Sequence, residues 1–220
     1  MNKNLRPFHG FFSPGLYFAS GHGMRLYNFT SAPTDVDPFF QIWMMTPAGK
    51  KILYVDPVAA RAIVSTWYSF DEVVESSISW EWPESDTLHV DVEAHNGTTL
   101  ELQLTLGSSL ATAVLNTIIA ITPRALMRTR PMLAISGLSF NLLLGLGGVH
   151  IKGETETGKD YVTEADKLRV VRDASAVLDG EDLGPLTRPP APITFGPSKV
   201  ADRPVFAFGT AYLEVTPAMD

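Results

Sequence analysis

The chain has 220 residues and carries 24 acidic against 17 basic residues, a net charge of −7, with no cysteine. This length fits one domain spanning residues 1–220, and a hydrophobic content of 45% excludes a disordered chain. The acidic balance argues against a nucleic-acid partner, because phosphate binding needs clustered Lys and Arg. Without cysteine, disulfides, thiolate metal sites and a Cys nucleophile are excluded.

The amino-terminal residues show no secretory signal. Lys3 and Arg6 are followed by a stretch that Gly10, Pro14 and Gly15 interrupt, so no continuous apolar region forms. We therefore expect a cytoplasmic protein.

The first half of the chain predicts strands joined by short turns. Aromatic and apolar runs end at prolines, and Pro47-Ala48-Gly49 is typical of a hairpin turn. The predicted strands are Met24–Thr30, Phe39–Thr46 and Lys51–Val55. Asp56-Pro57 then indicates a helix start, so a helix is predicted over Val58–Trp67.

Between Val74 and Leu106 the sequence alternates between apolar and polar residues. Such period-two alternation predicts strands with one buried and one wet face. Asn96-Gly97 separates the last two runs and suits a tight hairpin turn. The apolar positions, which we expect to share one buried face, are Ile78, Trp80, Trp82, Leu88, Val90, Val92, Leu100, Leu102, Leu104 and Leu106.

Residues 108–148 predict a helical insertion near the middle of the chain. From Ser108 to Thr122 the spacing becomes helical, with Leu110, Val114 and Ile118 as the predicted buried face. A second helix is predicted before Gly145, with Leu133, Leu138 and Leu142 buried. Arg124, Arg128 and Arg130 are expected to be exposed between the two helices.

Strands are predicted again after the insertion. They cover Val149–Thr157, Tyr161–Thr163, Leu168–Leu178, Ile193–Phe195 and Val205–Val215. Together the elements predict a β-rich α+β domain, an antiparallel barrel, cone or sandwich in which the helices form a lid or plug.

Several polar residues are candidates for chemistry. His89, Asp91, Glu93 and Glu101 share the polar face of the alternating strands, which favours a solvated surface over a metal or acid–base site. Glu81 would have a raised pKa only if its face were turned inward. The pair Lys50-Lys51 would suit a Schiff-base lysine, but its turn context favours exposed charges.

The leading functional hypothesis is binding of an apolar or amphipathic small molecule in a barrel-type cavity. It depends on architecture and on the 12 Phe, 6 Tyr and 4 Trp, with Trp43, Trp80 and Trp82 as candidate ligand-binding residues. The first alternative is a lyase, isomerase or cyclase that needs no cofactor, with Glu81, Asp91 and Lys152 as candidate catalytic residues.

The second alternative is a structural or membrane-peripheral protein that touches lipid through residues 108–148. We favour burial of those helices against the barrel, because a helix buried on all sides is also apolar throughout. An exposed apolar patch between Leu110 and Leu146 would favour the membrane alternative. The sequence predicts no metal and no cofactor site.

Overall fold

The structure is a computed structural model that describes residues 5–33, 35–123, 126, 137, 141–148 and 150–215. The strands are β1 (Leu5–Tyr17), β2 (Gly23–Ser31), β3 (Phe39–Met45), β4 (Lys51–Asp56), β5 (Glu72–Glu84), β6 (Thr87–Ala94), β7 (Thr99–Gly107), β8 (Lys152–Glu154), β9 (Asp160–Leu178), β10 (Glu181–Asp182), β11 (Thr194–Phe195), β12 (Ser198–Lys199) and β13 (Val205–Glu214). The helices are α1 (Arg61–Val64), preceded by a 3₁₀ turn at Val58–Ala60, and α2 (Leu110–Ile121).

Nine of these strands form a closed ring in the order β9-β13-β1-β2-β3-β4-β5-β6-β7. The long strand β9 closes it, since Tyr161–Val170 pairs with β13 and Val170–Leu178 pairs with β7. Neighbouring strands are antiparallel except β4 and β5, which run parallel. The β-rich fold with a helix near the middle, as the sequence predicts, is therefore confirmed.

The parallel pair β4–β5 needs a crossover, and residues 57–71 supply it. The predicted helix over Val58–Trp67 is too long: it consists of the 3₁₀ turn and the four-residue helix α1. After α1 the N–H groups of Thr66 and Trp67 bond to carbonyls three residues back, which is turn geometry. The β-branched residues Ile63, Val64 and Thr66 also disfavour a longer helix.

The interior of the ring is filled by side chains from its strands. The ring of Phe11 on β1 contacts Trp80 and Trp82 on β5, at centroid distances of 5.4 and 5.9 Å. Trp82 also lies 5.9 Å from Phe206 on β13. Because β5 is not adjacent to β1 or β13 in the ring, these contacts cross the interior.

The alternating strands β5–β7 and their turn are as the sequence predicts. Trp80 pairs with Val90, which in turn pairs with Leu102, so the three share one face. Gly97 has a φ of 91° and its N–H bonds to the carbonyl of Ala94. The prediction that Trp80 is buried is wrong in degree, since 40% of the residue is exposed close to the register shift between Glu81 and Glu84.

Two strands differ from the sequence expectations. The chain from Leu5 to Tyr17 is one strand although it contains prolines and glycines, and Gly10 meets β2 so closely that a Cβ there would collide with Asn28. The runs predicted at Tyr161–Thr163 and Leu168–Leu178 form the single strand β9. The strand continues through the polar residues between those runs because β9 stays paired with β13 there.

Helix α2 exists where the sequence predicts it, but it presents the opposite face to the ring. Ser109 caps it in a reciprocal arrangement with Thr112. Thr112 and Leu115 are buried, whereas Leu110, Val114 and Ile118, predicted as the buried face, are exposed. The prediction is wrong because apolar residues lie on both faces of α2, so hydrophobicity alone does not select the face that packs.

The second predicted helix falls mostly outside the described residues, as do Leu133, Leu138 and the three arginines between the helices. Residues 141–144 are helical. Leu142 is 78% exposed, against the prediction that it is buried, while Leu144 is buried against the ring.

Candidate functional site

A cavity of about 120 Å³ lies on the outer face of the ring. The strands β1, β2, β3, β9 and β13 form its floor, and it is covered by the crossover, the end of the insertion and the chain just after it. The floor residues are Phe12, Pro14, Arg25, Tyr27, Phe29, Gln41, Trp43, Tyr161, Thr163, Ala165, Leu168, Val205, Ala207, Ala211 and Leu213; the cover residues are Trp67, Tyr68, Leu144, Leu146, His150 and Ile151. The sequence placed a cavity inside the barrel, whereas this one lies outside it.

Strand alternation explains why these residues meet. On β2, Met24 and Leu26 join the apolar interior of the ring, so Arg25 and Tyr27 point to the opposite face. On β3 the same alternation turns Gln41 and Trp43 outward. The outer face at β2 and β3 is therefore aromatic and polar at once.

Arg25 is the notable charge of this site, because it is only 2% exposed. Its guanidinium donates to the Tyr27 hydroxyl at 3.3 Å and to the backbone carbonyl of Lys199. It also lies over the rings of Trp43 and Phe195, at 5.8 and 5.6 Å from their centroids. These contacts fix a buried positive charge at the wall of an otherwise apolar cavity.

The aromatic walls pack against each other. Trp43 lies 4.6 Å from Tyr68 and 5.0 Å from Tyr27, ring centre to ring centre. Its indole N–H donates to the side-chain oxygen of Gln41 at 2.8 Å, and the Trp67 indole donates to the carbonyl of Glu214 at 2.8 Å. Because both indole donors are satisfied within the chain, the rings offer apolar surface to an occupant.

The sequence-predicted ligand residues separate into two groups. Trp43 lines the cavity, and its role in ligand binding stays a prediction. Trp80 and Trp82 face the interior of the ring, where they contact Phe11, and neither is among the residues that line the cavity.

The candidate catalytic residues lie on the surface. Glu81, Asp91 and Lys152 are all exposed. Glu81 pairs across the strands with His89, whose Nδ1 is 3.9 Å from the carboxylate. Asp91 lies opposite Glu101, and within the described residues no group of three His, Asp or Glu side chains could hold a metal ion.

Lys50 and Lys51 have acidic neighbours. The Lys50 ammonium lies 2.6 Å from Glu72, and that of Lys51 lies 3.7 Å from Glu156. The hydrogen bond from Lys50 lowers the pKa of Glu72. A Schiff-base lysine is typically desolvated or placed next to another cation, whereas each of these ammonium groups lies beside a carboxylate.

Sequence reasoning missed Arg25, although a signal is present. Arg25 is the one charged residue in the run Gly23-Met24-Arg25-Leu26-Tyr27-Asn28-Phe29. A lone charge in an apolar strand indicates either an exposed face or a buried charge with fixed partners. The sequence cannot separate the two, because the cover over β2 comes from distant parts of the chain.

Comparison with protein-family models, curated proteins and solved structures finds no match to this chain. Within the described residues, none of the helices combines the length and the apolar character that crossing a membrane requires.

Proposed function

We propose that the protein binds an amphipathic small molecule in the outer-face cavity, with its apolar part against the aromatic walls and an anionic group at Arg25. The observation that carries this proposal is the buried guanidinium in the wall of an apolar cavity. The cavity-lining residues that the structure describes include Arg25 and His150 and no Asp, Glu or Lys. The local charge therefore favours an anion.

The cavity volume limits the occupant. Cavities near 150 Å³ hold molecules of about the size of benzene, so about 120 Å³ suits one ring or a short branched chain. A carboxylate matches the planar guanidinium in geometry and charge.

Binding is better supported than catalysis. A lyase or isomerase needs a general acid or base within reach of its substrate. Glu81, Asp91 and Lys152, the candidates for that role from the sequence, are all absent from the described cavity lining, and His150, which does line the cavity, is an exposed residue.

Isothermal titration calorimetry with benzoate, benzyl alcohol and benzylamine tests the proposal. The three probes share one ring and differ in charge. We expect benzoate to bind about tenfold or more tightly than benzyl alcohol, since a hydrogen bond to a charged group contributes about 1.5–3 kcal/mol. Benzylamine should bind least, because its cation meets Arg25.

Two variants separate the cavity from the rest of the surface. Ala207→Leu places a larger side chain in the cavity wall and should abolish binding of all three probes. Ala48→Leu adds the same volume in the exposed β3–β4 turn and should leave binding unchanged. Equal affinity for benzoate and benzylamine, or unchanged binding by Ala207→Leu, would contradict the proposal.

A further inference from the structure

Helix α2 differs from an ordinary surface helix because polar side chains accompany Leu115 on the side that faces the protein. Its polar residues Thr112 and Asn116 face the protein, and Thr112 is fully buried. The amide of Asn116 bonds to both backbone groups of Leu168 on β9. An ordinary surface helix turns its apolar stripe to the core and its polar face to water.

The outward face of α2 is a continuous apolar stripe. Leu110, Val114, Ile118 and Ile121 recur at helical spacing and are 83%, 45%, 43% and 74% exposed. Leu142 and Leu143, near the end of the insertion, are also exposed apolar residues. Contiguous apolar surface of this kind marks a contact with a partner or a membrane.

The charge of the insertion identifies the kind of partner. Residues 108–148 contain three arginines and no Asp, Glu or Lys, so all 24 acidic residues of the chain lie elsewhere. At the start of α2, Arg169 and Arg172 donate to the carbonyls of Gly107 and Ser108. An apolar stripe that begins next to Arg169 and Arg172, in an insertion whose charged residues are all arginines, complements an anionic surface that also has an apolar layer.

We propose that the outward face of α2 docks on an anionic lipid surface, with the helix lying in the plane of the interface. The stripe then buries its side chains in the boundary between headgroups and acyl chains. With 12 residues, α2 is too short to cross a bilayer, which takes about 20. Thr112 and Asn116 are bonded on the protein side, and the exposed Thr117 hydroxyl donates to the carbonyl of Ala113, so none of these polar side chains is left unsatisfied in lipid.

Docking does not depend on the cavity having a ligand, because the stripe and the cavity are different surfaces. They are nevertheless connected through Leu168, which lines the cavity and holds Asn116 of α2.

Flotation with vesicles tests the docking proposal. The wild type is mixed with vesicles of equal parts phosphatidylcholine and phosphatidylglycerol, and separately with phosphatidylcholine alone. The triple variant Leu110→Gln, Val114→Gln, Ile118→Gln removes the stripe while keeping good helix formers. The control Val58→Gln changes another exposed apolar residue, in the crossover turn.

We expect the wild type and Val58→Gln to float with the anionic vesicles. The partitioning of the triple variant onto vesicles should be at least about tenfold weaker, because it replaces three apolar side chains that docking would bury in lipid. Binding should be weaker to phosphatidylcholine alone and should fall at about 1 M salt, where charges are screened beyond about 3 Å. An unchanged melting temperature and unchanged benzoate titration show that the triple variant is folded.

Three outcomes would overturn the proposal. The first is a wild type that does not float with anionic vesicles. The second is a triple variant that floats as well as the wild type. The third is a wild type that does not bind vesicles and is dimeric by light scattering, with a monomeric triple variant, which would make a second copy the occupant of the stripe.

Discussion

Asn116 of α2 acts as a strand partner for Leu168 of β9. Its amide nitrogen donates to the Leu168 carbonyl at 2.9 Å, and its oxygen accepts from the Leu168 N–H at 2.8 Å. On this edge β9 pairs with β8 up to Val162 and with β7 from Val170 onwards. The side chain therefore satisfies part of a strand edge between those two pairings, which fixes the orientation of α2.

Replacing Asn116 by Ala should lower the free energy of unfolding by about 1–3 kcal/mol, because the Leu168 backbone groups lose their partners. Urea unfolding measures the change. The control is Thr117→Ala, at the next residue, which is exposed. It should change the free energy of unfolding by less than about 0.5 kcal/mol. A loss no larger than that of the control would mean that packing of Leu115, not Asn116, orients the helix.

Gly97→Val should destabilise the hairpin through the backbone alone. A Cβ at this position would meet nothing within 4 Å, but φ is 91°. A left-handed backbone costs an L-residue about 1–2 kcal/mol, most for β-branched side chains. We expect a lower melting temperature by calorimetry, with a smaller drop for Gly97→Asn. A variant with Val that melts like the wild type would contradict the turn geometry.

Trp82→Ala should cost more stability than Trp80→Ala. Trp82 contacts Phe11, Phe206 and Phe208, and each aromatic pair adds about 0.5–1.5 kcal/mol beyond its burial. Trp80 is 40% exposed and contacts Phe11. We expect the free energy of unfolding to fall by about 3 kcal/mol in Trp82→Ala and by about 1–2 kcal/mol in Trp80→Ala. The second value lies below the range for fully buried aromatic residues. Urea unfolding of the two variants decides the order.

Asp202 should make stability depend on pH in the acidic range. The hydrogen bond from Lys199, at 2.8 Å, and that from Arg188 lower the pKa of Asp202 against the opposing effect of burial. A carboxyl with a lowered folded-state pKa stabilises above its ordinary pKa of about 4, and this contribution is lost as pH falls through the lowered value.

The measurement for Asp202 compares wild type with Asp202→Asn. The variant should be less stable at pH 7, and the difference between the two should shrink towards pH 2. Other carboxyl groups titrate in both proteins, so the difference isolates Asp202. A difference that stays constant from pH 7 to pH 2 would show that the ion pairs with Lys199 and Arg188 contribute nothing.

The sequence determined those features that depend on neighbours along the chain. The alternation around Val90 and Leu102 assigned their common face, because the side-chain period of a strand is two. Gly97 indicated its turn, because few residues accept a positive φ. The helical spacing from Ser108 to Thr122 indicated α2, because side chains three and four residues apart share one face of a helix.

Only the tertiary structure decided the features that depend on distant partners. Closure of the ring comes from β9 pairing with β7 and β13, strands that local patterns do not connect. The burial of Arg25 depends on Lys199 and Phe195, which reach it from the far end of the chain. The outward face of α2 follows from two hydrogen bonds between Asn116 and Leu168, because apolar residues on both faces of the helix leave hydrophobicity without a preference.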